Sequence, residues 1–140
     1  MNQEIEKRLA QAFLEFYEKM SSWEHSVVKE SGISLAQMHT IEIMGHHESL
    51  KMTELAKKMG VTTGTLTVMV DRLEENKLVT RKPHETDRRV HIMSLTEKGQ
   101  KYFKKHQKLH LELTGEITST LSEKEARQLN DLMEKILPHF

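Results

Sequence analysis

His106 and His110 stand four residues apart in a run of helical character, so both imidazoles share one face and can reach a single metal ion. Nine histidines are many for 140 residues; the ordinary use of such residues is structural hydrogen bonding. A different chemistry gathers between Gly60 and Val70. Thr62, Thr63, Thr65 and Thr67 supply short hydroxyls, Gly64 allows close approach, and no residue of the stretch is acidic. A helix that enters a DNA major groove needs such a small, hydrogen-bonding, unrepelled surface on its N-terminal half. Its amide end also favours phosphate. The alternative is a helical hairpin with a Thr-rich solvent face. Further on, Arg88 and Arg89 follow Asp87 in a polar, turn-rich tip. An Arg on a loop can enter a narrow, electronegative minor groove, and a neighbouring Asp can aim its guanidinium. Arg81 and Lys82, at the base of the same segment, can meet phosphates.

Catalytic chemistry finds little footing. The chain has no cysteine, which excludes disulfides, cysteine-based zinc sites and a thiol nucleophile. It has no glycine-rich phosphate loop and no Ser in a strained elbow. His46 and His47 beside Glu48 suggest metal hydrolysis, but adjacent histidines point to different helix faces.

The elements that position these residues follow from periodicity. Ile5, Leu9, Phe13, Phe16, Met20, Trp23 and Val27 recur at helical intervals with a heptad-like seam. Ser31-Gly32 stops that helix. Ser34 with Gln37 forms a capping box that opens a second helix through about His47, with Leu35, Met38, Ile41, Ile43 and Met44 apolar. Leu50-Lys51-Met52 is a short extended piece. Thr53 caps a short helix over Glu54 to Met59, Gly60 turns the chain, and Val61 plugs the corner. Thr62 to Val70 is rich in β-branched residues and has strand propensity. Leu66, Val70 and Leu73 nevertheless recur at helical spacing, and the period predicts a helix from Thr62 to Asn76. Extended segments at about Val79–Lys82 and Val90–Ser94 flank Pro83 to Arg89, a hairpin with a charged loop. Thr96 caps a long helix to about Thr120. Ser122 with Glu125 caps the last one, which buries Leu129, Leu132, Met133, Ile136 and Leu137 and ends at Pro138.

Charge separates along this order. Lys51 to Lys105 carries a net +6, Met1 to Leu50 a net −4, and His106 to Phe140 a net −2, so the formal balance is zero. A basic middle between acidic ends suits a protein whose centre meets phosphate. The terminal helices are apolar on one side and have little else to pack on. The simplest assembly pairs them between two copies across a twofold axis. With no apolar run of about 18 residues and no signal-peptide core, the expected location is the cytosol, with no membrane partner.

The run Asp87-Arg88-Arg89-Val90-His91-Ile92-Met93-Ser94-Leu95-Thr96-Glu97-Lys98-Gly99 resembles the MarR-family signature of Asp-x-Arg, a short strand, then Leu-Thr-x-x-Gly. Asp71-Arg72-Leu73-Glu74 before Leu78-Val79 is similar to that family's passage from recognition helix into wing. The resemblance covers nearly the whole chain. It implies a mainly α fold with a small β-hairpin wing, a winged helix-turn-helix dimerised through its N- and C-terminal helices. One domain then spans 1–140, with 1–32 and 100–140 as dimerisation helices and 50–98 as the DNA-binding region. The implied function is a homodimeric transcriptional regulator, a repressor, on a pseudo-palindromic double-stranded operator and modulated by an effector. Thr62, Thr63, Gly64, Thr65, Thr67, Val68 and Arg72 would lie at the major groove or its backbone. Arg89 would be the minor-groove residue of the wing, with Arg88 beside it and Asp87 orienting it. The alternatives of another class are an enzyme and a purely structural helical dimer.

Two effectors are implied by resemblance. Ile33 to Gly45 is similar to the second helix of the fatty-acid-synthesis repressors of this family, which respond to long acyl chains on acyl carrier protein. Nine methionines suit a plastic apolar pocket. The family's zinc-uptake regulators place a Glu, a His and two His four apart around zinc, a pattern onto which Glu24, His39, His106 and His110 can be laid. The cysteine of those proteins' second site is missing here. No cofactor is required by either pattern, zinc being the possible one, and methionines in the core with hydrogen-bonded histidines remain a third outcome.

Overall fold

The computed structural model describes all residues, Met1–Phe140, as two compact units, Met1–Phe103 and Lys104–Phe140. Six α-helices and three short strands follow in the order α1 Gln3–Lys29, α2 Leu35–Gly45, β1 Leu50–Lys51, α3 Met52–Met59, α4 Thr63–Glu75, β2 Val79–Pro83, β3 His91–Leu95, α5 Glu97–Ile117 and α6 Glu123–Ile136. A 3-10 turn, Leu137–His139, comes last. The fold class is that of a winged helix.

Local chemistry sets most boundaries. Ser34 Oγ accepts the Gln37 N–H at 3.1 Å while the Gln37 side chain accepts the Ser34 N–H at 2.9 Å, a reciprocal cap that opens α2. Ser122 and Glu125 repeat the device at α6. There the N–H and hydroxyl of Ser122 hold the Glu125 carboxyl below its ordinary range. Helix α3 begins earlier than expected, at Met52 rather than after Thr53, because the Glu54 carboxylate accepts the Lys51 N–H at 3.3 Å. Gly60 ends α3 at φ 68°, a left-handed conformation that glycine adopts without a Cβ clash. Leu66, Val70 and Leu73 of α4 are fully buried, so helical period prevails over the β-propensity of the threonines. Burying each such side chain contributes about 1.5–3 kcal/mol.

The sheet has three strands, in the order β1-β3-β2 and antiparallel throughout. The hairpin register pairs Val79 with Leu95 and Arg81 with Met93. Strand β3 starts at His91 rather than Val90 because the Val90 N–H is held at 3.0 Å by the Asp87 carbonyl inside the tip turn. Strand β1 adds Leu50 opposite Met93 and Lys51 opposite Ile92, a pairing that no sequence period announces.

The core of the first unit brings Ile41, Met44, Leu50, Leu55, Leu66, Val70, Leu73, Leu78, Val79, Met93 and Phe103 together. Thr40 is buried in the same unit, its hydroxyl donating to the Ala36 carbonyl at 2.8 Å, with Met69 Sδ 2.9 Å away. On α1 the buried residue is Val28, whereas Ile5, Leu9, Phe13 and Phe16 of the expected seam are each at least two-fifths exposed. In the second unit, Leu129, Leu132, Met133, Ile136 and Leu137 are exposed too, not buried as expected, because one copy of the chain offers that side of α6 nothing to pack on.

The joint between hairpin and α5 explains the Leu-Thr-x-x-Gly run. Thr96 Oγ1 donates to the Lys77 carbonyl at 2.6 Å and accepts the Gly99 N–H at 3.0 Å, while the Thr96 N–H donates to the Leu78 carbonyl at 3.0 Å. A Cβ at Gly99 would stand 2.1 Å from the Leu78 carbonyl oxygen. Only a residue without a side chain lets α5 approach this turn so closely.

Candidate nucleic-acid interface

Helices α3 and α4 and the β2–β3 hairpin, all within the first unit, carry the residues with DNA-reading chemistry. Helix α4 turns Leu66, Val70 and Leu73 inward, which leaves Thr62, Thr63, Gly64, Thr65, Val68 and Arg72 exposed and Thr67 half-buried. The threonine hydroxyls do different work. Thr62 is the N-cap: its Oγ1 accepts the Thr65 N–H at 3.2 Å. It also donates to Thr65 Oγ1 at 3.1 Å, which leaves the Thr65 hydroxyl proton to point elsewhere. Thr67 donates back to the Thr63 carbonyl at 2.7 Å. Thr63 and Thr65, with the Val68 methyls, are therefore the side chains best placed to meet base edges: two hydroxyls for hydrogen bonds and one apolar group for a thymine methyl. Lys57 and Lys58 are exposed on the preceding helix, where a backbone-crossing helix meets phosphate.

The hairpin tip is built around Asp87. Its carboxylate accepts the Arg89 N–H at 3.1 Å and the Arg89 Nε at 3.2 Å. The Arg89 side chain is 91% exposed, so the guanidinium is aimed outward without being enclosed. The Arg89 guanidinium first, and its backbone N–H second, hold the Asp87 carboxyl below the usual carboxylate value. His84 closes the loop, donating its N–H to the Val90 carbonyl at 2.7 Å. Arg88 is exposed at the same tip.

Arg81 does not sit as the sequence suggested. Its guanidinium is hydrogen-bonded to Asp71 Oδ1 and lies 3.8 Å from Glu74 Oε1, so two carboxylates of α4 neutralise it. Lys82 is exposed.

The histidine set divides. In the second unit, the buried His106 and half-buried His110 bring their rings to 4.8 Å in an edge-to-face contact. In the first unit, His39 is exposed on α2, with Nδ1 3.9 Å from Glu42 Oε2. Glu42, not His39, is the α2 residue that stands beside Glu24: a carboxylate oxygen of each lies within 4.8 Å of the other. Glu42 follows Met38 by one turn on the buried side of α2, a spacing that could have found it.

Comparison with known proteins agrees with this geometry. Residues 33–91 match the model of the MarR family. The chain is 31% identical over 121 residues to the HTH-type transcriptional regulator BilQ of Clostridium symbiosum, covering 86% of this chain and 84% of that protein. Its fold superposes on a mutant MarR from E. coli, complexed with operator DNA, with a TM-score of 0.73 at 27% identity over 94% of each chain. It also superposes on Streptococcus pneumoniae FabT in complex with DNA, with a TM-score of 0.83 over 95% of each chain; at 24% identity this shows the fold alone. These relatives are regulators rather than enzymes, and the matched residues 33–91 include α3, α4 and the tip of the wing. The chain belongs to the MarR family of DNA-binding transcriptional regulators.

Proposed function

We propose that this regulator is a homodimeric repressor that reads a pseudo-palindromic operator with α4 in the major groove and Arg89 in the minor groove. The observation that carries it is the exposed, acid-free surface of Thr63, Thr65 and Val68 on the same unit as an outward guanidinium aimed by Asp87. The second copy is supported by the apolar residues left in solvent on each terminal helix, Phe13 at 54% and Leu132 at 60% exposed among them. Apolar area of that extent in helices of a 140-residue chain is what an obligate partner covers. In this arrangement 1–32 and 100–140 form the dimer and 50–98 the DNA-binding region.

A long acyl chain, delivered by acyl carrier protein, is the effector favoured by the α2 run Ile33 to Gly45. Zinc is the second candidate, supported by the His106–His110 pair, whose nitrogens lie within 4.8 Å of one another on one face of α5. Fluorescence anisotropy on a labelled duplex from the gene's own upstream region tests both, run with chelator, with zinc, and with long-chain acyl carrier protein. Tight, salt-dependent binding is expected, because phosphate contacts release counterions. A response to acyl carrier protein alone assigns the acyl effector; a response to zinc alone assigns the histidines as ligands. Salt-independent or absent binding to duplexes selected from a random pool would overturn the operator reading.

A further inference from the structure

Arg81 occupies the centre of β2, on the wing of a DNA-binding protein, yet it faces its own recognition helix. Its side chain is 18% exposed and its Nε is shut off from solvent. Asp71 and Glu74, three residues apart on α4, both take its guanidinium. Two carboxylates against one cation leave a local excess of negative charge, which is unsuited to a phosphate contact. The bridge instead ties the C-terminal turns of α4 to the strand that carries the wing.

We propose that Arg81 is a positioning residue: it fixes the angle between α4 and the wing, so that the base-reading face and Arg89 reach their two grooves together. This rests on α4 being the helix that enters the major groove. The lever is long. Thr63 lies about 16 Å from Glu74 along the helix axis, so a tilt of about 10° at the clasp moves it by about 3 Å. A hydrogen bond to a base edge does not survive that displacement, whereas phosphate contacts made by flexible lysines do. Loss of the clasp therefore removes discrimination between sequences before it removes affinity for DNA.

The test measures dissociation constants for a duplex selected from a random pool and for a scrambled duplex, over a range of salt. Arg81→Gln is expected to weaken the selected duplex on the order of tenfold and the scrambled one by less than about twofold, with the salt slope unchanged. Arg81→Lys, which keeps the charge but not the planar guanidinium whose Nη2 meets both carboxylates, is expected to fall between. Asp71→Asn separates positioning from charge. Removing a negative group near DNA tightens all sequences by electrostatics alone, whereas loosening the clasp weakens the selected duplex. A role in fold stability alone would lower the melting temperature, leave the ratio of the two constants unmoved and overturn the proposal. Equal loss on both duplexes with a salt slope smaller by about one would make Arg81 a phosphate contact and overturn it too. So would an unchanged ratio in Asp71→Asn, which decides the matter if Arg81→Gln does not fold. Thr63→Ala and Thr65→Ala in the same assay report separately on α4: if both keep full discrimination, the helix assignment fails independently of Arg81.

Discussion

The Asp87 carboxylate accepts both the backbone N–H and the guanidinium of Arg89, at 3.1 and 3.2 Å, at the tip of the wing. A carboxylate held below its ordinary value by these contacts stays ionised through mild acid. The sign follows from linkage. The contribution of the clasp is complete above the unfolded value of 3.8 and is lost only as pH falls through the lower folded value. Operator affinity is therefore expected to lose nothing from Asp87 between pH 8 and about pH 5. Comparing the pH profiles of wild type and Asp87→Asn by anisotropy checks this; profiles that diverge only on acidification within that window would show that Asp87 is titrating there.

Arg89→Ala should weaken operator binding by about 1–3 kcal/mol. Its side chain is almost fully exposed and supports no packing, so the melting temperature should stay within about a degree or two of wild type. An unchanged dissociation constant would remove the wing tip from recognition.

Replacing Thr63 or Thr65 by Ala should change sequence preference more than non-specific affinity. Thr65 is the sharper case, because its hydroxyl oxygen accepts from Thr62 and that contact turns its proton toward another acceptor. Selection from randomised duplexes with each variant would show relaxed preference at one or two positions; identical preference would place both hydroxyls against the backbone.

These contacts also show what can be read from residues alone. The spacing of Leu66, Val70 and Leu73 announces the burial of α4 correctly, since packing of an amphipathic face outweighs the weak strand preference of threonine. Ser34 with Gln37 and Ser122 with Glu125 are legible because a capping box is local. The extended piece at Leu50–Lys51 is legible as well, but its pairing is not, because two residues carry no period that could name distant Met93 and Ile92 as partners. The sequence suggests a phosphate contact for Arg81 because its true partners, Asp71 and Glu74, come to it through tertiary packing. Glu42 is passed over in favour of His39 although its one-turn spacing from apolar Met38 marks its side of α2; what the spacing leaves out is that Glu24 of α1 stands beside it.

Gly99→Ala should destabilise the protein by about 1–3 kcal/mol, the usual cost of forcing atoms into a filled space. The added Cβ meets a backbone carbonyl, which cannot rotate away as a side chain would. Urea denaturation measures it. A change of less than about 0.5 kcal/mol would mean that the turn at Leu78 yields freely.

On the proposed homodimer, sedimentation should give twice the chain mass for wild type and the single-chain mass for Leu132→Glu, with helicity intact, because the side chain is 60% exposed within its own chain. A dimer that persists would exclude this face of α6 from the subunit contact.

The pairing of Leu50 with Met93 has a consequence for how the region can be divided. The wing is a module in appearance, a hairpin of contiguous residues. One flank of its inner strand is nevertheless sealed by a piece of chain that precedes both α3 and α4. A fragment that starts after Lys51 would bare that flank, with unpaired amides and carbonyls ready to recruit another chain. Grafts of the hairpin between relatives face the same penalty unless the two residues ahead of α3 travel with it. The structural unit is therefore the whole stretch from Leu50 to Leu95, and it should form late, since its ends must meet before its middle is secured.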